Sequence, residues 1–151
     1  MENIHPLFVH FPIALLMTAL VLEVLGVVVR SESCRRAALW NLALGVTGAL
    51  GAVLTGRLAE ETAKHSFEIH QVMEQHERAG YLVLSLAATA LAWRVVKRGH
   101  QPVWAQWVGV ALLAAACAVI VSGAHLGGRL VYEYGVGGSY GRAAGEIEVV
   151  K

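Results

Sequence analysis

The chain has 151 residues, 56% hydrophobic and 15% charged, with a mean hydropathy of +0.56 and a formal net charge of +1. No broad basic surface argues for nucleic acid, and no nucleotide fingerprint, phosphate loop or nucleophile–base arrangement argues for independent catalysis beyond electron transfer. Abundant Gly and Ala and the absence of Asp suit packed membrane helices rather than a water-soluble core.

Crossing about 30 Å of hydrocarbon takes roughly 20 helical residues. Four segments are long enough: Leu7 to Val29, Ala38 to Gly56, Ala79 to Val96 and Val103 to His125. The first is preceded by His5 and carries His10 near its start. Pro12 removes a helical hydrogen bond and clashes one turn back, so this span begins or bends there. It lacks a basic leader and a small-residue cleavage site, and is expected to stay in the mature protein. Glu23 is the one acidic residue within a span. An intramembrane carboxylate is a functional candidate by default, but its position near the span's end suits a side chain that reaches a polar interface. In the second span Gly48, Ala52 and Gly56 recur every four residues, with Gly45 and Gly51 nearby. This small-residue stripe suits close helix packing, or a flat wall for a planar cofactor.

The polar stretch from Arg57 to Arg78 is strongly helix-forming and is expected to prolong spans two and three beyond the bilayer. It holds His65, His70 and His76. Trp40, Trp93, Trp104 and Trp107 lie near the opposite edge, as an interfacial aromatic belt does. The Gly-rich tail from Gly127 to Lys151 reads as a loop or short hairpin. Cys34 in a loop and Cys117 deep in a span do not suit a disulfide, and no internal repeat stands out.

Short connections predict an all-α fold, a single-domain integral membrane bundle of four antiparallel helices. The short loops carry the dense basic clusters Arg30, Arg35, Arg36 and Arg94, Lys97, Arg98. They are therefore expected in the cytoplasm, with both termini on the outer (periplasmic) side of the membrane. That topology gathers His5, His10, His65, His70, His76 and His125 at the outer edge and leaves only His100 inside.

Imidazole is the commonest side chain for holding a transition metal or haem iron. His65 and His76 would stand roughly 16 Å apart on one continuous helix, too far for one mononuclear site. Bis-histidine haem is easier to satisfy, because each helix need supply one imidazole. Spans one and three are diagonal, so His10 with His76 is the expected axial pair; His70 with His125 is a candidate for a second haem or a separate metal. His5 is a spare ligand or a supporting donor. Arg57, Arg78 and Arg129 near the outer boundary are candidates to pair with haem propionates, or to anchor at the interface.

The opening His5-Pro6-Leu7-Phe8-Val9-His10-Phe11-Pro12-Ile13-Ala14 resembles the start of a family of small bacterial four-helix membrane proteins long filed as a domain of unknown function. Ser122-Gly123-Ala124-His125-Leu126-Gly127-Gly128 and Leu130-Val131-Tyr132 resemble that family's C-terminal signature, and His76 matches a position where members carry His. The resemblance spans essentially the whole chain. It implies an inner-membrane four-helix protein linked to haem or electron transfer. Members carry a bulky aromatic where this chain has His125, so the resemblance does not extend to that residue.

The residues together predict a membrane b-type cytochrome with one or two haem b groups near the outer face. It would pass electrons between the quinone pool and a periplasmic c-type cytochrome or oxidoreductase subunit. A site for copper, zinc or non-haem iron is the alternative, and a structural membrane subunit the third reading; a homo-oligomer is left open.

Overall fold

The computed structural model describes residues 5–62, 66–97 and 102–136. They form four helices: α1 His5–Val28, α2 Glu32–Thr62, α3 Phe67–Val96 and α4 Val103–Tyr132. All four are long and apolar enough to cross a membrane. The turn from α1 to α2 is tight. Arg30 takes a positive φ of 53°, which stops α1. The Cys34 amide then donates to the Ser31 hydroxyl at 3.3 Å, capping the start of α2. At the other connections, Ser66 and Pro102 hold extended backbone just before α3 and α4.

The helices run up and down around a core in which α1 packs closely on α2, and α3 on α4; the two hairpins touch each other less closely. Leu16, Ala19, Leu42, Val83, Ala87, Ala90, Leu113 and Ile120 form the centre. Large apolar side chains such as Val21, Leu54, Leu82 and Val121 point outward, which is where lipid belongs. Lipid is as apolar as the core, so tight side-chain packing, not apolar burial alone, holds such helices together.

One expectation is corrected. Helix α4 does not stop at His125: it continues to Tyr132, and Leu130 packs with Val72 and Met73 of α3 in a second apolar cluster. Residues 127–132, read from sequence as loop, are therefore helical; the rest of the tail beyond 136 lies outside the described residues. Of the two alternatives for Pro12, a helix start or a place within the span, the structure has the second.

An internal repeat, not apparent in the sequence, also emerges. Shifting the first hairpin by 71 residues lays it on the second without a gap. The buried α1 positions Pro12, Leu16 and Ala19 fall on buried Val83, Ala87 and Ala90 of α3. Buried Ala38, Leu42, Gly45 and Ala49 of α2 fall on buried Gly109, Leu113, Ala116 and Ile120 of α4. The bundle is thus two like hairpins about a pseudo-twofold axis along its length, the parallel kind of repeat seen in membrane proteins.

Candidate functional site

The expected small-residue stripe of α2 is filled by α1. A Cβ on Gly45 would lie 2.7 Å from Leu16 Cδ2; on Gly48, 3.0 Å from Phe11; on Gly51, 3.3 Å from Phe8; and on Gly56, 3.1 Å from the His5 ring. The stripe lets α1 lie close along its whole length, and at its last glycine it admits an imidazole.

His5 sits in that last groove. Its Nδ1 donates to the Ala52 carbonyl at 3.0 Å and lies 3.3 Å from the Thr55 hydroxyl. His76 repeats the arrangement on the second hairpin. Its Nδ1 donates to the Gly123 carbonyl at 2.9 Å, and its ring lies 3.0 Å from where a Cβ on Gly127 would be. Carbonyls only accept, so both Nδ1 atoms carry the proton and the lone pair of each neutral ring is on Nε2. Every member of this arrangement obeys the 71-residue shift: His5 and His76, Ala52 and Gly123, Gly56 and Gly127. The two rings meet across the axis, 6.1 Å between centroids and nearly perpendicular at 88°.

The ring that meets His76 is therefore that of His5, whereas sequence reasoning favoured His10 and kept His5 as a spare. At about 100° per residue, His10 is turned roughly 140° round α1 from His5; it is exposed, and its Nδ1 bonds the Pro6 carbonyl of its own helix at 2.7 Å. His70 and His125 are exposed on α3 and α4. His65 lies outside the described residues. Among the described residues no group of three or more His, Cys, Asp or Glu side chains comes together.

Arg57, Arg78 and Arg129, toward the histidine end, are already paired. Arg57 donates to the Tyr81 hydroxyl at 3.0 Å and stands 3.7 Å from Glu77, and Tyr81 donates to Glu77 at 3.1 Å. This network ties α2 to α3 beside the histidines. Arg78 pairs with Glu74 one turn back, and Arg129 with Glu133 at 2.9 Å. All three are partly or largely exposed.

The opposite end holds a second polar pair across the same axis. Glu23 does not reach a polar interface, as its place near the span's end suggested; it is 4% exposed and pairs with Arg94 of α3 at 3.3 Å. Arg94 Nη2 also donates to the Arg35 carbonyl at 3.1 Å, and the Arg35 stem lies against Gly26. Trp93 is fixed there too, its indole N–H donating to the Ala105 carbonyl at 2.8 Å with Lys97 over its ring. Trp40, Trp104 and Trp107 are exposed around this end, as a belt requires.

Compared with known proteins, residues 1–139 match the family described as Predicted membrane protein (DUF2231). No curated protein and no solved structure matches the chain.

Proposed function

The chain belongs to the DUF2231 family of predicted membrane proteins, and from that premise we propose that it is a small b-type cytochrome of the bacterial inner membrane, with His5 and His76 as the haem-iron ligands. The observation that carries this is the anchored pair of imidazoles 6.1 Å apart across the bundle axis. With each Nδ1 engaged by a carbonyl, both imidazoles keep Nε2 as the atom that would hold a shared iron. Two is also the number a bis-histidine haem iron asks of a protein, since the porphyrin supplies its other nitrogens.

The chain's own contribution is orientation. A ligand histidine that gives its other N–H to a carbonyl is held in one tautomer and one ring plane, and Ala52 and Gly123 do this for His5 and His76. Small residues leave room around them: a Cβ on Gly128 would meet nothing within 4 Å, and one on Gly80 nothing nearer than 3.7 Å. Arg57, Arg78 and Arg129 hold positive charge at this edge, where propionates would lie. When bound, haem supplies a one-electron couple. With both termini periplasmic the site faces outward, suited to exchange between membrane quinone and a periplasmic c-type cytochrome or oxidoreductase subunit.

The test is a dithionite-reduced minus air-oxidised spectrum of the purified protein in detergent, with a pyridine haemochrome assay. The expected result is a sharp alpha band and about one haem b per chain, lost in His5→Ala and in His76→Ala and kept in His10→Ala. A flat spectrum from protein made with ample haem would sink the reading. Copper, zinc or iron found by elemental analysis would then assign the pair to metal handling.

A further inference from the structure

The pseudo-twofold axis makes the two seams between the hairpins equivalent, α1 with α4 and α2 with α3, yet the chain furnishes them differently. On the α2–α3 seam a phenol is held in place: the Tyr81 hydroxyl accepts from Arg57 and donates to Glu77. The 71-residue shift puts His10 where Tyr81 stands, Gly128 where Arg57 stands and Pro6 where Glu77 stands. The α1–α4 seam therefore has an imidazole in place of the phenol, and neither the cation nor the carboxylate. A glycine leaves it open. A Cβ on Gly128 would meet nothing within 4 Å among the described residues. At about 100° per residue, Gly128 is turned to the flank of Gly127, the glycine that lies against His76.

His10 gives this opening a polarity. Its Nδ1 donates to the Pro6 carbonyl at 2.7 Å, so the lone pair of the neutral ring is on Nε2. The side chain is exposed, and at helical rise His10 lies about 7.5 Å further into the span than His5. At that depth an acceptor facing lipid is costly unless a donor meets it, and acyl chains offer none. Among the described residues nothing donates to Nε2. A molecule that satisfies it has to travel in the bilayer, carry a hydroxyl, and be flat enough to lie beside a glycine. The opposite seam shows the type, a phenolic ring with its hydroxyl bonded.

We propose that the α1–α4 seam binds a lipid-soluble hydroquinone, with one ring hydroxyl donating to His10 Nε2 and the ring lying over Gly128. Its use as an electron donor rests on the cytochrome reading; its binding does not. The test titrates the full-length protein, in quinone-free nanodiscs under argon and mildly alkaline buffer, with a decyl-tailed hydroquinone and separately with its quinone. An imidazole nitrogen that only accepts favours the hydroquinone, whose hydroxyl donates, over the quinone, whose carbonyls do not. The expected preference is about tenfold. His10→Phe keeps an aromatic ring without the lone pair, so hydroquinone affinity falls about tenfold and the preference disappears. Gly128→Leu fills the opening and lowers both affinities by at least about tenfold. Tyr81→Phe, in the closed seam, changes neither. Haem content of the same samples keeps the two readings apart. Hydroquinone binding without haem supports the seam site and sinks the cytochrome, whereas full haem without hydroquinone binding overturns the seam site alone. Equal affinity of wild type for both forms overturns it too, as does a His10→Phe or Gly128→Leu variant that binds like wild type, or a loss in Tyr81→Phe as large as in His10→Phe.

Discussion

A hydrogen bond from Nδ1 to a backbone carbonyl does two things to an imidazole: it selects the tautomer and it removes the ring's freedom to turn. Here the carbonyl is available because a glycine one turn further on, Gly56 or Gly127, leaves room for the ring edge. A methyl group at either glycine would press on the imidazole at about the distance where a neighbour must shift. On the proposed haem reading, Gly56→Ala and Gly127→Ala are therefore expected to weaken haem retention by roughly 10- to 100-fold, the usual cost of disturbing a ligand's support. Haem content after gradient washing checks this. Replacing His10, which bonds only its own helix among the contacts described, is expected to leave that content unchanged. Equal loss in His10→Ala would return the site to the pairing that the sequence alone favoured.

At the scale of elements, the first hairpin is held by backbone proximity. Gly45 is the most demanding position of the α2 stripe, because its neighbour Leu16 is wholly buried and a Cβ would come within 2.9 Å even of Leu16 Cγ. Gly45→Ala is expected to cost about 1–3 kcal/mol, the usual penalty of overpacking, seen as a lowered unfolding midpoint in detergent. The second hairpin is built differently. Ala116, the counterpart of Gly45, already carries a methyl group and is fully buried. Substitutions that cut volume without clash should instead treat the hairpins alike. Leu42→Ala and Leu113→Ala occupy equivalent buried positions, and each should cost about 2–5 kcal/mol, with similar values for the two. A large inequality would argue against the equivalence of the hairpins.

For the whole molecule, an even number of spans puts the start of α1 and the end of α4 at one end, with His5 and His76, and puts Glu23, Arg94 and the tryptophans at the other. On the charge rule, the basic residues of the two short loops would set the second end in the cytoplasm. Alkaline phosphatase fused after residue 136 should be active outside the cell's inner membrane, and a fusion in the α1–α2 loop near Arg30 inactive. The reverse pattern would turn the histidine pair toward the cytoplasm and remove a periplasmic partner from consideration. The pseudo-twofold axis runs between these ends, with the His5–His76 pair at one and the Glu23–Arg94 pair at the other.

Much of this was legible in the residues. Span number, helical class and antiparallel order follow from four long apolar runs separated by short basic loops, because a bilayer admits few other solutions. The gathering of histidines at one end follows from that topology and needs no coordinates. Which histidines meet did not follow. The choice between His5 and His10 depends on how α1 is rotated about its own axis, and that rotation is set by Leu16, Phe11 and Phe8 settling onto the glycines of α2. Nor did the repeat show itself, since its two copies share burial more than identity or size; Leu16 and Ala87 are equivalent only in being buried at the same register. Glu23 looked interfacial because its partner is 71 residues away on the diagonal helix, and only folding brings a guanidinium to it. The amino-acid sequence by itself thus determined a four-span bundle with His5, His10, His70, His76 and His125 toward one end. Tertiary packing alone decided helix rotation, and with it which side chains face one another across the axis, because lipid outside and core inside are equally apolar and only close steric fit tells one face of such a helix from another.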